Sequence, residues 1–187
     1  LPAIFRLTPF APPELDRRLA ALGYGLGDEV EVRARPLADL APPPAPPALR
    51  PPAKLVRVAA VGLERWLDVF TALSGAAEST RAAHRRVLAA VPGVRRLLIL
   101  EADERPVACG MSVFEGGLLG LFDLVTAADS RGRGFGGELL RRALRWGQRA
   151  GAREAYLQVL NRNAVALRLY ERAGFTKVYS YHYRERA

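Results

Sequence analysis

Arg131-Gly132-Arg133-Gly134-Phe135-Gly136-Gly137 is the stretch from which the fold of this chain is read. It joins a strand pattern, Leu118–Thr126, to a helix pattern over roughly Gly136–Ala150. Its glycines let successive backbone N–H groups converge without Cβ obstruction, and the helix N-terminus adds partial positive charge. The segment is therefore suited to gripping a pyrophosphate, with Arg131 and Arg133 adding charge for the same anion. Gly132, Gly134 and Gly137 also satisfy the dinucleotide fingerprint G-x-G-x-x-G. A dinucleotide site, however, wants its glycines directly after a parallel strand and an acid at the end of the next strand. Here Ala127–Ser130 intervene, and the next strand pattern ends in Gln158-Val159. The loop also lacks the Lys-Ser/Thr pair of a P-loop. A purely structural glycine turn stays open at this point.

Outward from the loop, Leu97–Glu101, Pro106–Phe114 and Leu118–Thr126 read as three strands. Glu115-Gly116-Gly117 is the turn that makes the last two an antiparallel hairpin. Upstream, Lys54–Ala60 alternates as a strand. Leu63–Leu73 and Ser79–Val91 read as helices, the second with Ser79 as N-cap and Pro92-Gly93 as its stop. Downstream, Leu139, Ala143 and Trp146 beside Leu140, Leu144 and Gly147 give the helix after the loop one apolar face. Then follow a strand at Glu154–Val159, a helix at Asn163–Ala173 closed by Gly174, and a strand at Phe175–Tyr183. This order predicts an α/β (α+β) fold with a mixed sheet.

Asn163 and Tyr170 are seven residues apart, nearly two helical turns, so they share a face of one helix. An amide and a phenol placed that way suit an extended ligand. They equally suit an N-cap and a half-buried core aromatic.

Taken together, these segments resemble the GCN5-related N-acetyltransferase (GNAT) superfamily. The pattern Arg131-x-x-Gly134-x-Gly136 is similar to that family's pyrophosphate motif. Asn163-Ala164-Val165-Ala166-Leu167-Arg168-Leu169-Tyr170-Glu171-Arg172-Ala173-Gly174-Phe175 is similar to its helix ending in Leu-Tyr-x-x-x-Gly-Phe. The resemblance is strong over about Gly120–Tyr183 and extends by element order over Lys54–Leu119. It implies a GNAT-like fold and direct transfer of an acetyl group from acetyl-CoA, a co-substrate, to a primary amine of a small molecule or a peptide N-terminus. It also implies site residues. Backbone groups of Leu124, Val125 and Thr126 would align the pantetheine arm, with an N–H there polarising the thioester carbonyl. The loop Arg131, Gly132, Arg133, Gly134, Phe135, Gly136 and Gly137 would hold the pyrophosphate. Asn163 would touch the cofactor arm, and Tyr170 would protonate the departing thiolate.

One departure concerns the base. The ribosomal-protein N-terminal acetyltransferases, which this region otherwise resembles, carry a glutamate where this chain has Gln158, and a neutral amide takes no proton from an ammonium. Asp123, Glu115 and a water relay are the alternatives, with Asp123 the catalytic candidate of choice. Without that glutamate, a non-catalytic acyl-CoA-binding or regulatory module is the rival reading. His84, among Arg81, Arg85 and Arg86, reads as a surface residue on the acceptor side. His182 reads as a candidate substrate contact, and Cys109 as a small core residue. No metal site is expected, because no second ligand stands at ligand spacing.

Composition narrows the classes further. At 187 residues, 50% hydrophobic and 25% charged, the chain can bury one core and a small appendage. The apolar runs Leu97–Leu100 and Leu118–Phe122 are far shorter than the roughly 20 residues of a membrane span. A single cysteine fits a reducing cytoplasm. The formal charge of +9 suggests nucleic acid, yet it is nearly all arginine scattered along the chain, only Lys54 and Lys177 being lysine. A basic mouth for an anionic cofactor accounts for it as well. Nucleic acid is thus a disfavoured partner, and a homodimer is allowed. The start Leu1-Pro2-Ala3 is read as lying inside a longer or processed chain.

Ala41–Pro52, seven of whose twelve residues are proline, marks a boundary. It predicts an extended strap of about 37 Å at ~3.1 Å per residue. The organisation expected is a degenerate partial GNAT-like unit over 1–40, a Pro-rich linker over 41–52 and an acetyltransferase domain over 53–187. The first assignment rests on sliding Pro2–Arg35 forward by 151 residues. Ile4–Leu7 then falls near Glu154–Val159, Glu14–Leu22 on the helix before Gly174, Gly23-Tyr24 on Gly174-Phe175, and Glu29–Arg35 on the last strand. Identities are few: Arg17 with Arg168, Gly23 with Gly174, Arg33 with Arg184. Pro12 would stand for Asn163 and Leu19 for Tyr170, so the copy would bind no CoA in this way.

Overall fold

The structure, a computed structural model, describes residues 3–37 and 56–186; the proline-rich stretch and the start of the strand expected at Lys54 lie outside them. In chain order the elements are β1 (Ile4–Leu7), α1 (Pro13–Ala21), β2 (Gly25–Pro36), β3 (Val56–Ala60), α2 (Leu63–Ser74), α3 (Glu78–Ala90), β4 (Val94–Ala102), β5 (Arg105–Glu115) and β6 (Leu118–Thr126). A short 3-10 turn (Ala128–Ser130) follows, then α4 (Phe135–Arg149), β7 (Glu154–Leu160), α5 (Ala164–Arg172) and β8 (Thr176–Glu185). The expected α/β architecture is present. The chain divides into two compact units, Leu1–Arg35 with Tyr156–Ala187 and Pro36–Ala155. Among the described residues no helix is long and apolar enough to cross a membrane.

In the larger unit the strands lie in the order β3-β4-β5-β6, each antiparallel to its neighbour, with Val58 opposite Leu100 and Leu98 opposite Gly110. Side chains alternate between faces along a strand. Leu97, Ile99, Cys109, Met111 and Val113 form one buried cluster with Trp66 and Leu67 of α2 and Leu88 of α3. The amphipathic helix expected after the glycine loop serves the other face: Leu139, Leu140, Ala143 and Leu144 are all buried. Leu139 lies against Gly110 of β5, and Gly147 lies against Leu119 of β6.

Ser79 does not cap α3. The helix starts one residue earlier behind Ala77, and no side chain caps it. Glu78 in the first turn suits the positive end of the helix dipole. Arg81, one turn on, holds the start of the helix to α2 through Asp68 at 2.6 Å and Glu64 at 3.3 Å.

In the smaller unit the order is β1-β8-β2-β7. β8 runs antiparallel to both neighbours, with Arg6 opposite Tyr183 and Val30 opposite Tyr181. Leu7, Leu19, Val30, Leu157, Val159, Tyr170, Phe175 and Tyr181 are its buried hydrophobic residues among those described. Asp16 of α1 accepts hydrogen bonds from Arg184 and His182, each at 2.8 Å, so His182 is occupied within the fold.

The close helix–strand approach at Gly147 is testable. An added Cβ there would collide with the fully buried Leu119 side chain. Gly147→Ala is expected to lower stability by about 1–2 kcal/mol, overpacking outweighing the better helix propensity of alanine. Urea unfolding should show a lower midpoint at an unchanged slope.

Candidate functional site

β6 ends at Thr126 and hands the chain through the 3-10 turn to the glycine loop. Ser130 is buried there, its Oγ donating to Asp129 Oδ1 at 2.9 Å, and Asp129 also pairs with Arg105. Gly132 (φ 74°) and Gly134 (φ 90°) are left-handed, a conformation that strains any residue with a Cβ. Gly134 is the N-cap of α4 and offers no capping side chain. The N–H groups of Phe135, Gly136 and Gly137 consequently have no partner inside the helix, and the two glycines leave them uncovered. Phe135 anchors the turn in the core, with the Arg133 guanidinium 5.0 Å from its ring centre. Arg131 is exposed and donates to the Thr126 carbonyl at 3.4 Å. Glu138 would weaken an anion site here. Burial alone would raise its carboxyl, but Arg141 and Arg142 outweigh that and hold it ionised below the usual range, with its charge neutralised.

Further back along β6 the ladder breaks. Met111 faces Phe122 and Cys109 faces Val125, so Asp123 and Leu124 share the place opposite Gly110. This is a β-bulge, and Asp123 takes a left-handed φ of 54° in it. The Gly110 carbonyl accepts the Trp66 indole N–H at 3.2 Å. Trp66 stacks on Phe70, with ring centres 5.1 Å apart, and both present their rings to the edge-on imidazole of His84. His84 Nε2 lies 3.0 Å from Asp123 Oδ2. Burial pushes the Asp123 carboxyl up, only partly offset by His84. Burial, with Asp123 nearby, pushes the Cys109 thiol to about 12, so it stays neutral and is no nucleophile.

The smaller unit carries the remaining expected residues. Asn163 is the N-cap of α5, its side-chain oxygen accepting from Ala166 N at 3.1 Å. Tyr170 is 8% exposed, with its ring edge-on to Phe175 at 6.0 Å. Burial pushes its phenol up to about 12. The Gln158 side-chain oxygen accepts a hydrogen bond from the Tyr181 hydroxyl. Asp123, Leu124, Val125, Thr126 and Arg131–Gly137 are thus gathered in one unit, and Gln158, Asn163 and Tyr170 in the other.

A family model described as the acetyltransferase (GNAT) family matches residues 61–175. The chain belongs to the GNAT family. This GNAT chain is 29% identical over 119 residues to the "Uncharacterized N-acetyltransferase YobR" of Bacillus subtilis (strain 168), across 64% of this chain and 48% of that protein. Its fold is similar to a GCN5-related N-acetyltransferase from Sphaerobacter thermophilus, with a TM-score of 0.74 at 20% identity over 99% of this chain and 60% of that one. It is also similar to a tandem GNAT protein from the clavulanic acid biosynthesis pathway, with a TM-score of 0.68 at 16% identity over 98% and 63% of the two chains. The chain therefore spans about half the length of the curated relative and about three fifths of these structures.

Two residues of this GNAT site were missed by sequence reasoning. His84 reads as a surface residue, yet its side chain is only 18% exposed and bonded to Asp123. Trp66 carries no signal beyond its place in a helical stripe. The available hint was Asp123 itself, an acid inside an otherwise apolar strand. Trp66→Phe leaves the Gly110 carbonyl without its indole donor and a void where the fully buried indole stood. It is expected to cost about 1–3 kcal/mol in chemical unfolding.

Proposed function

We propose that this chain is an enzyme that transfers an acetyl group from acetyl-CoA directly to a primary amine of a small molecule or a peptide N-terminus, in a cytoplasmic setting. The observation that carries the proposal is the uncapped start of α4, with left-handed Gly134 at the cap, bare N–H groups at Phe135, Gly136 and Gly137, and Arg131 and Arg133 beside them. A pyrophosphate supplies the acceptors those donors lack and the charge the dipole favours. The bulged segment Leu124, Val125 and Thr126 leads into that loop and is assigned the pantetheine arm. Its backbone is the source of the oxyanion donor.

Asn163 is assigned a contact with the cofactor arm and Tyr170 the leaving thiolate. A phenol pushed up to about 12 keeps its proton at any physiological pH. Full transfer to a thiolate with a pKa of ~8.5 runs uphill by roughly 3.5 units, about 5 kcal/mol. Tyr170 therefore acts first as a hydrogen-bond donor to the developing charge, and transfer completes as the attacking nitrogen gives up its own proton. The rival reading, a non-catalytic acyl-CoA-binding module, is favoured by Gln158, whose amide is committed to Tyr181.

Saturating acetyl-CoA is expected to raise the melting temperature by about 5–10 °C, and Gly134→Val to abolish most of that rise. Thiol release with a panel of amines separates enzyme from binding module. Tyr170→Phe should lower kcat about 100-fold or more while keeping the acetyl-CoA shift. An equal loss of turnover and cofactor affinity would make Tyr170 a packing residue instead.

A further inference from the structure

We infer that Asp123 takes the proton of the acceptor amine and that His84 is its positioning residue. The inference rests on the acetyl-transfer reading above. Four observations converge on it. Asp123 occupies the bulge of the strand assigned to the pantetheine arm, in a backbone conformation that persists only where the surroundings hold it. His84 Nε2 lies 3.0 Å from its Oδ2. The imidazole is boxed by Phe70 at 4.9 Å and Trp66 at 5.8 Å between ring centres, and Trp66 is itself tied to the bulge through Gly110. Both partners are half-buried, at 18% and 29% side-chain exposure, unlike a solvated surface bridge.

The other bases fall away. Gln158 is a neutral amide, and the Tyr181 phenol it accepts from is pushed up to about 12, chiefly by burial, so neither takes a proton near neutrality. Glu115 pairs with Leu118 at the far end of the hairpin, five residues from Asp123, or about 17 Å along a strand. An ionised carboxylate only accepts, so Nε2 carries its hydrogen towards Oδ2 and Oδ1 meets the ammonium. The ammonium N–H bond breaks, its proton goes to Oδ1, and the freed nitrogen pair attacks the acetyl carbon. The C–S electron pair leaves with sulfur, which ends with the second proton lost by nitrogen. Asp123 returns its proton to solvent.

The groups facing Asp123 are His84 on α3 and Cys109 on β5, the latter a neutral thiol. The α2 residues against His84 are the uncharged Trp66 and Phe70. On α3, Arg81 and Arg85 are tied to Glu64 and Asp68 of α2, and Arg86 is exposed. The sign follows. The carboxylate form is required, so kcat/KM falls as pH drops through the Asp123 midpoint, which burial raises and His84 holds partly down.

The test is the pH profile of kcat/KM, read by thiol release with benzylamine and an alanyl peptide. Asp123 is titrated in parallel by carboxylate NMR. Asp123→Asn is expected to lower kcat about 100-fold while keeping the acetyl-CoA thermal shift. His84→Ala should move both the acid limb and the Asp123 midpoint upward by ~1 unit, and His84→Gln, which still donates, should restore most of the rate. A uniform loss in His84→Ala with the acid limb unmoved overturns the inference. So does a moved Asp123 midpoint without a moved limb. Failure of the wild-type protein to release thiol with any amine is the separate failure of the acetyl-transfer reading, and this inference falls with it.

A different observation carries a second proposal. We propose that β1–α1–β2 is a second, decayed copy of β7–α5–β8, and that the copies exchange strands about a local two-fold axis between Val30 and Tyr181. A shift of 151 residues carries the bounds of α1, Pro13–Ala21, onto those of α5, Ala164–Arg172, and the start of β2 onto that of β8. Leu22 and Ala173 end the helices with φ and ψ of −82°, 5° and −83°, 5°, followed by Gly23 and Gly174 at 83° and 82°. Leu19 and Tyr170 are the buried residues of their respective helices.

Val30 and Tyr181 are opposite partners and are themselves 151 apart, which places the axis between them. The order β1-β8-β2-β7 reads the same under that rotation. Polar contacts reciprocate. Arg35 donates to Ala173 O and its counterpart Arg186 donates to Leu22 O, an identity that the slide along the sequence passes over. Arg33 reaches Glu171 of α5, and its counterpart Arg184 reaches Asp16 of α1. With Pro12 and Leu19 in place of Asn163 and Tyr170, the copy serves the sheet and has no site of its own.

A full-length protein carrying a protease site inserted after Ala45 tests this. After cleavage the two fragments should co-elute under native conditions, and Arg35→Ala or Arg186→Ala should promote their separation to similar extents. An N-terminal fragment that leaves while the remainder keeps its melting temperature overturns the proposal.

Discussion

One extra residue in β6 sets the geometry of the larger unit. Because Asp123 and Leu124 share the place opposite Gly110, the ladder with β5 slips by one, and the Gly110 carbonyl is taken by the indole of Trp66. A buried carbonyl without a partner is costly, so this bond ties α2 to the interrupted strand. Phe70 stacks on Trp66, and the two rings hold His84 of α3 against Asp123. The same bulge turns Asp123 into a conformation that regular strand geometry forbids. Bulge, aromatic wall and acid–imidazole pair form a single arrangement, and none of its parts has this geometry without the others.

The glycine loop is governed by a different constraint, the unmet donors at the start of α4. Proteins usually close a helix start with a side-chain cap, as Asn163 does for α5. At α4 the cap is a left-handed glycine with no side chain. The nearby carboxylate of Glu138 is neutralised by Arg141 and Arg142, which preserves the positive field at the helix end.

Under the proposed duplication, β1–α1–β2 keeps the architecture of β7–α5–β8 without its polar groups. Replacing an N-cap asparagine with proline preserves a helix start, because proline lacks the N–H that would need a partner and favours extended geometry before a helix. Replacing a buried tyrosine with leucine preserves a core position. On that reading, both exchanges keep a helix start and a core position while removing an amide and a phenol.

The sequence by itself determined the element order, the hairpin at Glu115-Gly116-Gly117, the apolar face of α4, the glycine loop and the helix ended by Gly174, since each is written in local periodicity or turn chemistry. It also carried the family, through two motifs whose spacing is fixed along the chain. It placed the cap of α3 at Ser79, whereas the helix begins at Glu78 behind Ala77. It left Asp123 without a partner and His84 on the surface. Those depended on the tertiary structure, because the two stand 39 positions apart in the chain, a separation no local period spans, and the bulge and the aromatic wall hold them 3.0 Å apart. The strand pairing in the smaller unit was equally hidden. Pairing between β2 and β8 joins segments about 150 residues apart, and its register is set by which side chains the finished sheet buries.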